Sequence, residues 1–206
     1  MISGDLAACA AIVERGDPQR FRAAMAAPVA ARAVLFPVYA FNIEVSRAPY
    51  VSQEPMISEM RLQWWVEALD EIAGGGLVRR HEVVLPLAQA VDAEGARLLQ
   101  EVVEARRQDL ELAPFDDAAA LWSYLDATSG ALMLAAASGL GEAAPEVVRG
   151  HGQAVGLANY LVAVPRLVEM NRRPLPDSSD AAITALAREG LDRLKAARRG
   201  RGAVSS

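Results

Sequence analysis

The chain has 206 residues, 52% apolar and 23% charged, enough to bury one sizeable core in a single domain. A net charge of −5 and a pI near 5.2 exclude the positive field that gathers nucleic acid. A single cysteine, Cys9, excludes an internal disulfide framework, and with only His81 and His151 there is no cluster of thiolates and imidazoles for zinc. Aromatic residues are 5% of the chain, alanine and leucine dominate, and β-branched runs are rare, so the expected class is all-α.

The predicted elements follow from apolar periodicity and from breakers. Asp5 to Arg15 forms a first helix, stopped by Gly16-Asp17-Pro18, and a short second one carries Phe21 and Met25 before Pro28. A third runs from Val29 to about Arg47 with Pro37 inside it as an expected kink, and Ala48-Pro49 stops it. Glu54 to Ile72 is the fourth, with Leu62, Trp65, Leu69 and Ile72 on one face, and Gly74-Gly75-Gly76 ends it. Pro86 to Glu111 holds two helical stretches separated at Glu94-Gly95. Asp116 or Asp117 caps a long small-residue helix to Gly139, and Glu146 to Glu169 closes the core.

After Pro176 the character changes: Arg188 to Arg201 holds six basic residues and two acidic ones. The expected organisation is therefore one helical domain over residues 1–176. Residues 177–206 follow as an amphipathic helix, Ala182 to Leu194, and a frayed, partly disordered basic tail. Such a tail suits a peripheral contact with an anionic membrane only where the helix also presents an apolar face. Asp5 stands where a signal peptide needs a basic region, and the apolar run Val155 to Val168 is interrupted by Pro165 and Arg166. The expected location is cytoplasmic, or peripheral to the inner membrane.

Four segments in order carry a resemblance. LFPVYAFNIEVSRAPY spans Leu35 to Tyr50, SEMRLQWWVEAL spans Ser58 to Leu69, LWSYLDATSGALMLAAASGLG spans Leu121 to Gly141, and GQAVGLANYLVAVPRLVEMNRRPLP spans Gly152 to Pro176. Together they resemble the squalene/phytoene synthase family. The first and last correspond to its two aspartate-rich helices, and the third to its Y-x-x-x-T-A-G-x-L helix through Tyr124, Thr128 and Gly130. The resemblance implies an isoprenoid (terpenoid) synthase-like helical bundle, truncated at its C-terminal end.

In that family the facing aspartates hold magnesium, a hard cation that requires oxygen ligands, against a prenyl diphosphate. Here the first set of aspartates falls on Ser46, Arg47 and Tyr50, and the second on Ala163 and Leu167. The phosphate-binding arginines fall on Ile43 and Val162, and two N-terminal serines on Gln19 and Arg20. By the resemblance, the diphosphate-contacting positions that remain are Tyr39, Tyr124 and Asn159, the candidate substrate-binding residues, with Arg172 or Arg173 as a further contact. Asn159 is expected to be buried and to hydrogen-bond Tyr39 or Tyr124. No catalytic residue, metal ligand or cofactor is assigned.

Within the family, the R-L-Q-W-W sequence at Arg61 to Trp65 resembles the respiratory complex I assembly factors and their short bacterial relatives. That implies a non-catalytic binding or assembly protein with protein partners and room for a lipid or isoprenoid. The alternative is an active prenyl-diphosphate transferase that condenses farnesyl or geranylgeranyl diphosphate head to head with magnesium and unconventional ligands. Glu44 and the Glu67-Asp70-Glu71 cluster are the spare acids, and the cluster reads as a solvated helix face. Asp177 and Asp180 read as loop residues. Trp65 is expected in the core, Arg61 beside the tryptophans or paired with an acid, His81 in a loop, and His151 at the opening of the last core helix.

Overall fold

The structure is a computed structural model that describes residues 4–52 and 54–204. Among the described residues there are ten α-helices: α1 (Gly4–Gly16), α2 (Pro18–Ala26), α3 (Arg32–Arg47), α4 (Pro55–Ala73), α5 (Val84–Ala90), α6 (Ala93–Arg106), α7 (Ala118–Leu125), α8 (Ala131–Leu140), α9 (Pro145–Glu169) and α10 (Asp180–Arg199). There is no strand among the described residues beyond one isolated bridge, Ala143 to Val204. Caps fix the starts. Asp17 accepts from the Arg20 amide at 2.9 Å, Asp92 from Gly95 at 2.8 Å and Asp117 from Ala120 at 2.8 Å. Pro18, Pro55 and Pro145 open their helices, where a missing amide costs nothing.

Several expectations are corrected. The break between the two stretches of residues 86–111 lies at Val91-Asp92, because Asp92 caps α6 and Gly95 falls inside its first turn. The expected single helix from Asp117 to Gly139 is interrupted by a π turn, Asp126–Gly130, between α7 and α8. Asp180 opens α10, capped by Ser179, whereas Asp177 stays in the loop. His151 lies one and a half turns inside α9. The helical run Val29–Tyr50 has 22 residues and the apolar length of a membrane span, yet half of it is buried as the central core helix against α1, α5 and α8.

The larger core gathers α1, α3, α4, α5, α6 and α8, with Phe41, Leu62, Leu69 and Leu99 fully buried. Trp65 is buried as expected and meets Phe41 edge-on at 5.2 Å. A second, smaller cluster joins Leu121, Trp122, Tyr124 and Leu125 to Leu157 of α9 and Leu186 of α10. Backbone contact is closest where α9 crosses the π turn: a Cβ at Gly152 would stand 2.7 Å from the Ser129 carbonyl oxygen. In α10 the apolar stripe, Leu186, Gly190 and Ala197, packs onto the core and α9. Far from fraying after Leu194, this helix continues to Arg199, and a short 3-10 turn returns the chain to pair Val204 with Ala143.

Candidate functional site

The two segments that resemble the aspartate-rich helices meet at one end of the bundle, where α3, the turn after α6, α7 and the end of α9 converge. Arg106 ends α6, and Asp109 lies in the 3-10 turn Arg107–Leu110 that follows. An arginine three residues before an aspartate brings both to one side of that tightening turn. Arg106 Nη1 donates to Asp109 Oδ2 at 3.1 Å and to the Tyr124 hydroxyl at 2.6 Å. The Tyr124 hydroxyl in turn donates to the Asp109 carboxylate, at 2.9 Å from Oδ1 and 3.0 Å from Oδ2. Phe115 and Tyr160 pack on Tyr124 with ring centroids 5.2 and 6.1 Å away. Tyr160 donates its hydroxyl to the Pro174 carbonyl at 2.7 Å, and Arg172 lies over the Tyr50 ring at 5.1 Å.

The electrostatics follow from burial. Removal from water pushes the Tyr124 phenol well above its ordinary range, Asp109 adds to this, and Arg106 opposes it. Tyr50 is pushed up to about 12, chiefly by burial and then by Asp109. Tyr160 is raised for the same reasons. Desolvation works against the charge of Arg106, but Tyr124 and Asp109 outweigh it and hold the guanidinium protonated. The cluster thus presents three neutral phenols and one carboxylate already shared between a guanidinium and a hydroxyl. Between Tyr50, Asp109, Phe115, Tyr160, Leu167 and Arg172 the remaining void is about 30 Å³. That volume suits a water or two.

Beside the void lies an open cleft of about 640 Å³, lined by Pro49, Tyr50, Val51, Leu112, Met170 and Arg172. Ser58, 1% exposed, also lines it with an Oγ that finds no partner among the described residues. Its apolar margin is open: Val51 is 51% and Leu112 70% exposed.

Of the sequence-predicted site residues, Tyr124 is central to the cluster. Tyr39 is elsewhere, half-buried under the Arg20 guanidinium at 5.4 Å, in the larger core. Asn159 is exposed and meets neither tyrosine. At 100° per residue it turns away from Leu157 and Tyr160, the neighbours that do face inward. Arg61 is likewise exposed and makes no ion pair among the described residues. The Glu67 cluster is only in part solvated: Glu71 accepts three bonds from Arg79, at 2.7 to 3.0 Å, and Asp70 accepts from Gln100 at 2.6 Å. Trp64 is covered by Arg79 at 4.9 Å and His81 at 5.1 Å. Sequence reasoning misses Arg106, Asp109, Phe115 and Tyr160, although the R-x-x-D spacing and the two flanking aromatics are visible in it.

The profile of squalene/phytoene synthases matches residues 13–202. The chain belongs to that family. A Drosophila melanogaster protein described as NADH dehydrogenase (ubiquinone) complex I, assembly factor 6 homolog, is 28% identical over 166 residues, covering 76% of this chain. The chain spans half the length of that relative. A crystal structure of a dehydrosqualene synthase in complex with ligand superposes with a TM-score of 0.83 over 98% of this chain and 78% of the other, at 15% identity. The isoprenoid synthase-like fold is therefore established.

Magnesium does not fit the positions at which this family's resemblance would place it. Ser46 returns its hydroxyl to the Ile43 carbonyl at 3.1 Å, Arg47 is a cation, and Tyr50 lies beneath Arg172. On α9, Ala163 is exposed and Leu167 closes the void. Among the described residues no three carboxylates, thiols or imidazoles converge.

Proposed function

We propose that this chain is a non-catalytic member of the squalene/phytoene synthase family that works as a binding or assembly factor of the respiratory complex I type. One observation carries the reading. Where two carboxylate sets would face each other, the chain has Ser46, Arg47, Tyr50, Ala163 and Leu167, and Asp109, which lines a void with Tyr50 and Leu167, is already bonded to Arg106 and Tyr124. Ionising a prenyl diphosphate depends above all on neutralising the pyrophosphate as it leaves, and these groups supply none of the metal ligands for that. Similarity to the Drosophila assembly factor homolog supports the partner class. The exposed apolar residues Met56 and Met60 of α4, with Val51 and Leu112 at the cleft, are the surface on which a complex I component would dock, since exposed patches of this kind mark interaction sites. The cleft beneath it is the place for any lipid or isoprenoid tail that the protein holds. On this reading the protein works in the cytoplasm, at the inner membrane.

Two assays test this. With magnesium and farnesyl or geranylgeranyl diphosphate, the purified protein is expected to release pyrophosphate no faster than a protein-free control. Magnesium-dependent release would overturn the non-catalytic reading in favour of prenyl transfer. Gentle co-purification from the native cell is expected to recover a complex I component, and Met56→Asp with Met60→Asp to lose it. Recovery of no stable partner would overturn the assembly reading.

A further inference from the structure

On a different part of the molecule, α8, α9 and the end of α10 enclose a groove of about 730 Å³ that shares no lining residue with the cleft. Its walls are Met133, Ala137, Val147, Val148, Ala197 and Val204. The last of these is brought there by the pairing of Val204 with Ala143 and by the Ala144 amide, which donates to the Ala203 carbonyl at 3.1 Å. The turn expected as a loose tail therefore builds one wall. Among the described residues, the polar side chains in the lining are His151, Arg198 and Arg201, with no acid among them. Both arginines are exposed, and neither is ion-paired among the described residues, so their guanidinium groups are open to a ligand.

We infer that this groove binds a single-chain anionic amphiphile, its hydrocarbon chain along the apolar walls and its carboxylate or phosphate head at Arg198 and Arg201. The volume lies within the range of small-molecule sites. Unpaired guanidinium groups on one margin of an apolar trough complement an anion with a hydrocarbon tail. An extended peptide suits the groove less well. The walls are helices whose amides and carbonyls are satisfied internally, so the peptide backbone would enter with no partners, whereas an acyl chain has none to satisfy. The groove is independent of the assembly reading, and its tests do not involve the cleft.

Palmitate, titrated below its micellar concentration into the full-length protein by calorimetry, tests the inference. One saturable site is expected, with palmityl alcohol binding more weakly. Arg198→Gln with Arg201→Gln, both exposed positions that leave the fold intact, should weaken palmitate about tenfold, the effect of two surface cations. Ala137→Leu, which adds volume to a half-buried wall, should abolish binding with the circular dichroism unchanged. Equal affinity of the arginine variant and the parent for palmitate would overturn the inference, as would the absence of saturation. So would binding confined to phosphatidylglycerol vesicles, which marks a membrane surface. A concentration-dependent dimer broken by Ala137→Leu would assign the groove to a second copy and overturn it too.

Discussion

Asp109→Ala removes the one carboxylate that compensates Arg106. The aspartate side chain is 11% exposed and the arginine 19%, so neither can turn to bulk water without opening the turn after α6. Loss of Asp109 removes the bond from Arg106 Nη1 at 3.1 Å and both bonds from Tyr124, and it leaves a cation whose Nε already lacks a partner. Stranding one member of a buried pair costs roughly 3–5 kcal/mol; the residual exposure of Arg106 puts the expected loss at the lower end, about 3 kcal/mol. For a domain of this size that is a fall in Tm of roughly 6–12 °C. Urea unfolding followed by circular dichroism measures it, and Arg106→Met in the Asp109→Leu background should recover most of the loss, because the stranded charge has gone. A loss under about 1 kcal/mol, the worth of a solvated pair, would refute the claim that this cluster is a desolvated lock. So would a double variant no more stable than Asp109→Ala.

Three further outcomes are expected. All four tyrosines have raised ionisation, with burial the first cause at each, and Cys9 is pushed up to about 12 by burial, then Glu82 and Asp5. The folded state binds protons that the unfolded state has released, so stability is full below pH 9 and falls as pH rises from about 9 for Cys9 and about 10 for the tyrosines, towards about 12. Phenolate absorbance near 295 nm should then rise together with unfolding; a separate titration at pH 10 in the folded protein would contradict it. Gly152→Ala should destabilise by about 1–2 kcal/mol in a thermal melt despite the better helix propensity of alanine, because the Cβ meets the Ser129 carbonyl at 2.7 Å and Gly130 Cα at 2.8 Å, both backbone atoms. Chelation with EDTA should leave Tm unmoved, and a drop of several degrees would reveal a structural metal that the side chains do not suggest.

Helix ends are legible where a side chain does the work of capping. Asp17 before Pro18 and Asp117 before a small-residue run both announce a free carboxylate beside orphan amides, and both are caps. At residues 91–95 the glycine of Glu94-Gly95 looks like the breaker, while Asp92, with its oxygen on the Gly95 amide, holds the start of α6 two residues earlier. Asn159 is hard to place for a different reason. From Leu157 to Val164 every side of α9 carries apolar residues, with Val162 82% exposed, so composition offers no way to choose the inward face there. The Arg106-Asp109-Tyr124 lock joins residues from α6, a 3-10 turn and α7, and only the path of the chain between them brings the three together.

That lock bears on why the bundle persists without the family's clamps. Two sets of carboxylates facing each other across a cavity repel, and in low dielectric the repulsion is tolerable only with a metal between them. Here the same junction holds Asp109 between Arg106 and the Tyr124 hydroxyl, with Arg172 on the Tyr50 ring and Leu167 against the void. The charges are matched within the chain, and every phenol stays neutral at physiological pH. Among the described residues, no group of three acids, thiols or imidazoles forms there. The junction joins the turn after α3 to α6, α7 and α9 through charges matched inside the chain, and the cleft beside it, from Val51 to Met170, stands open to solvent.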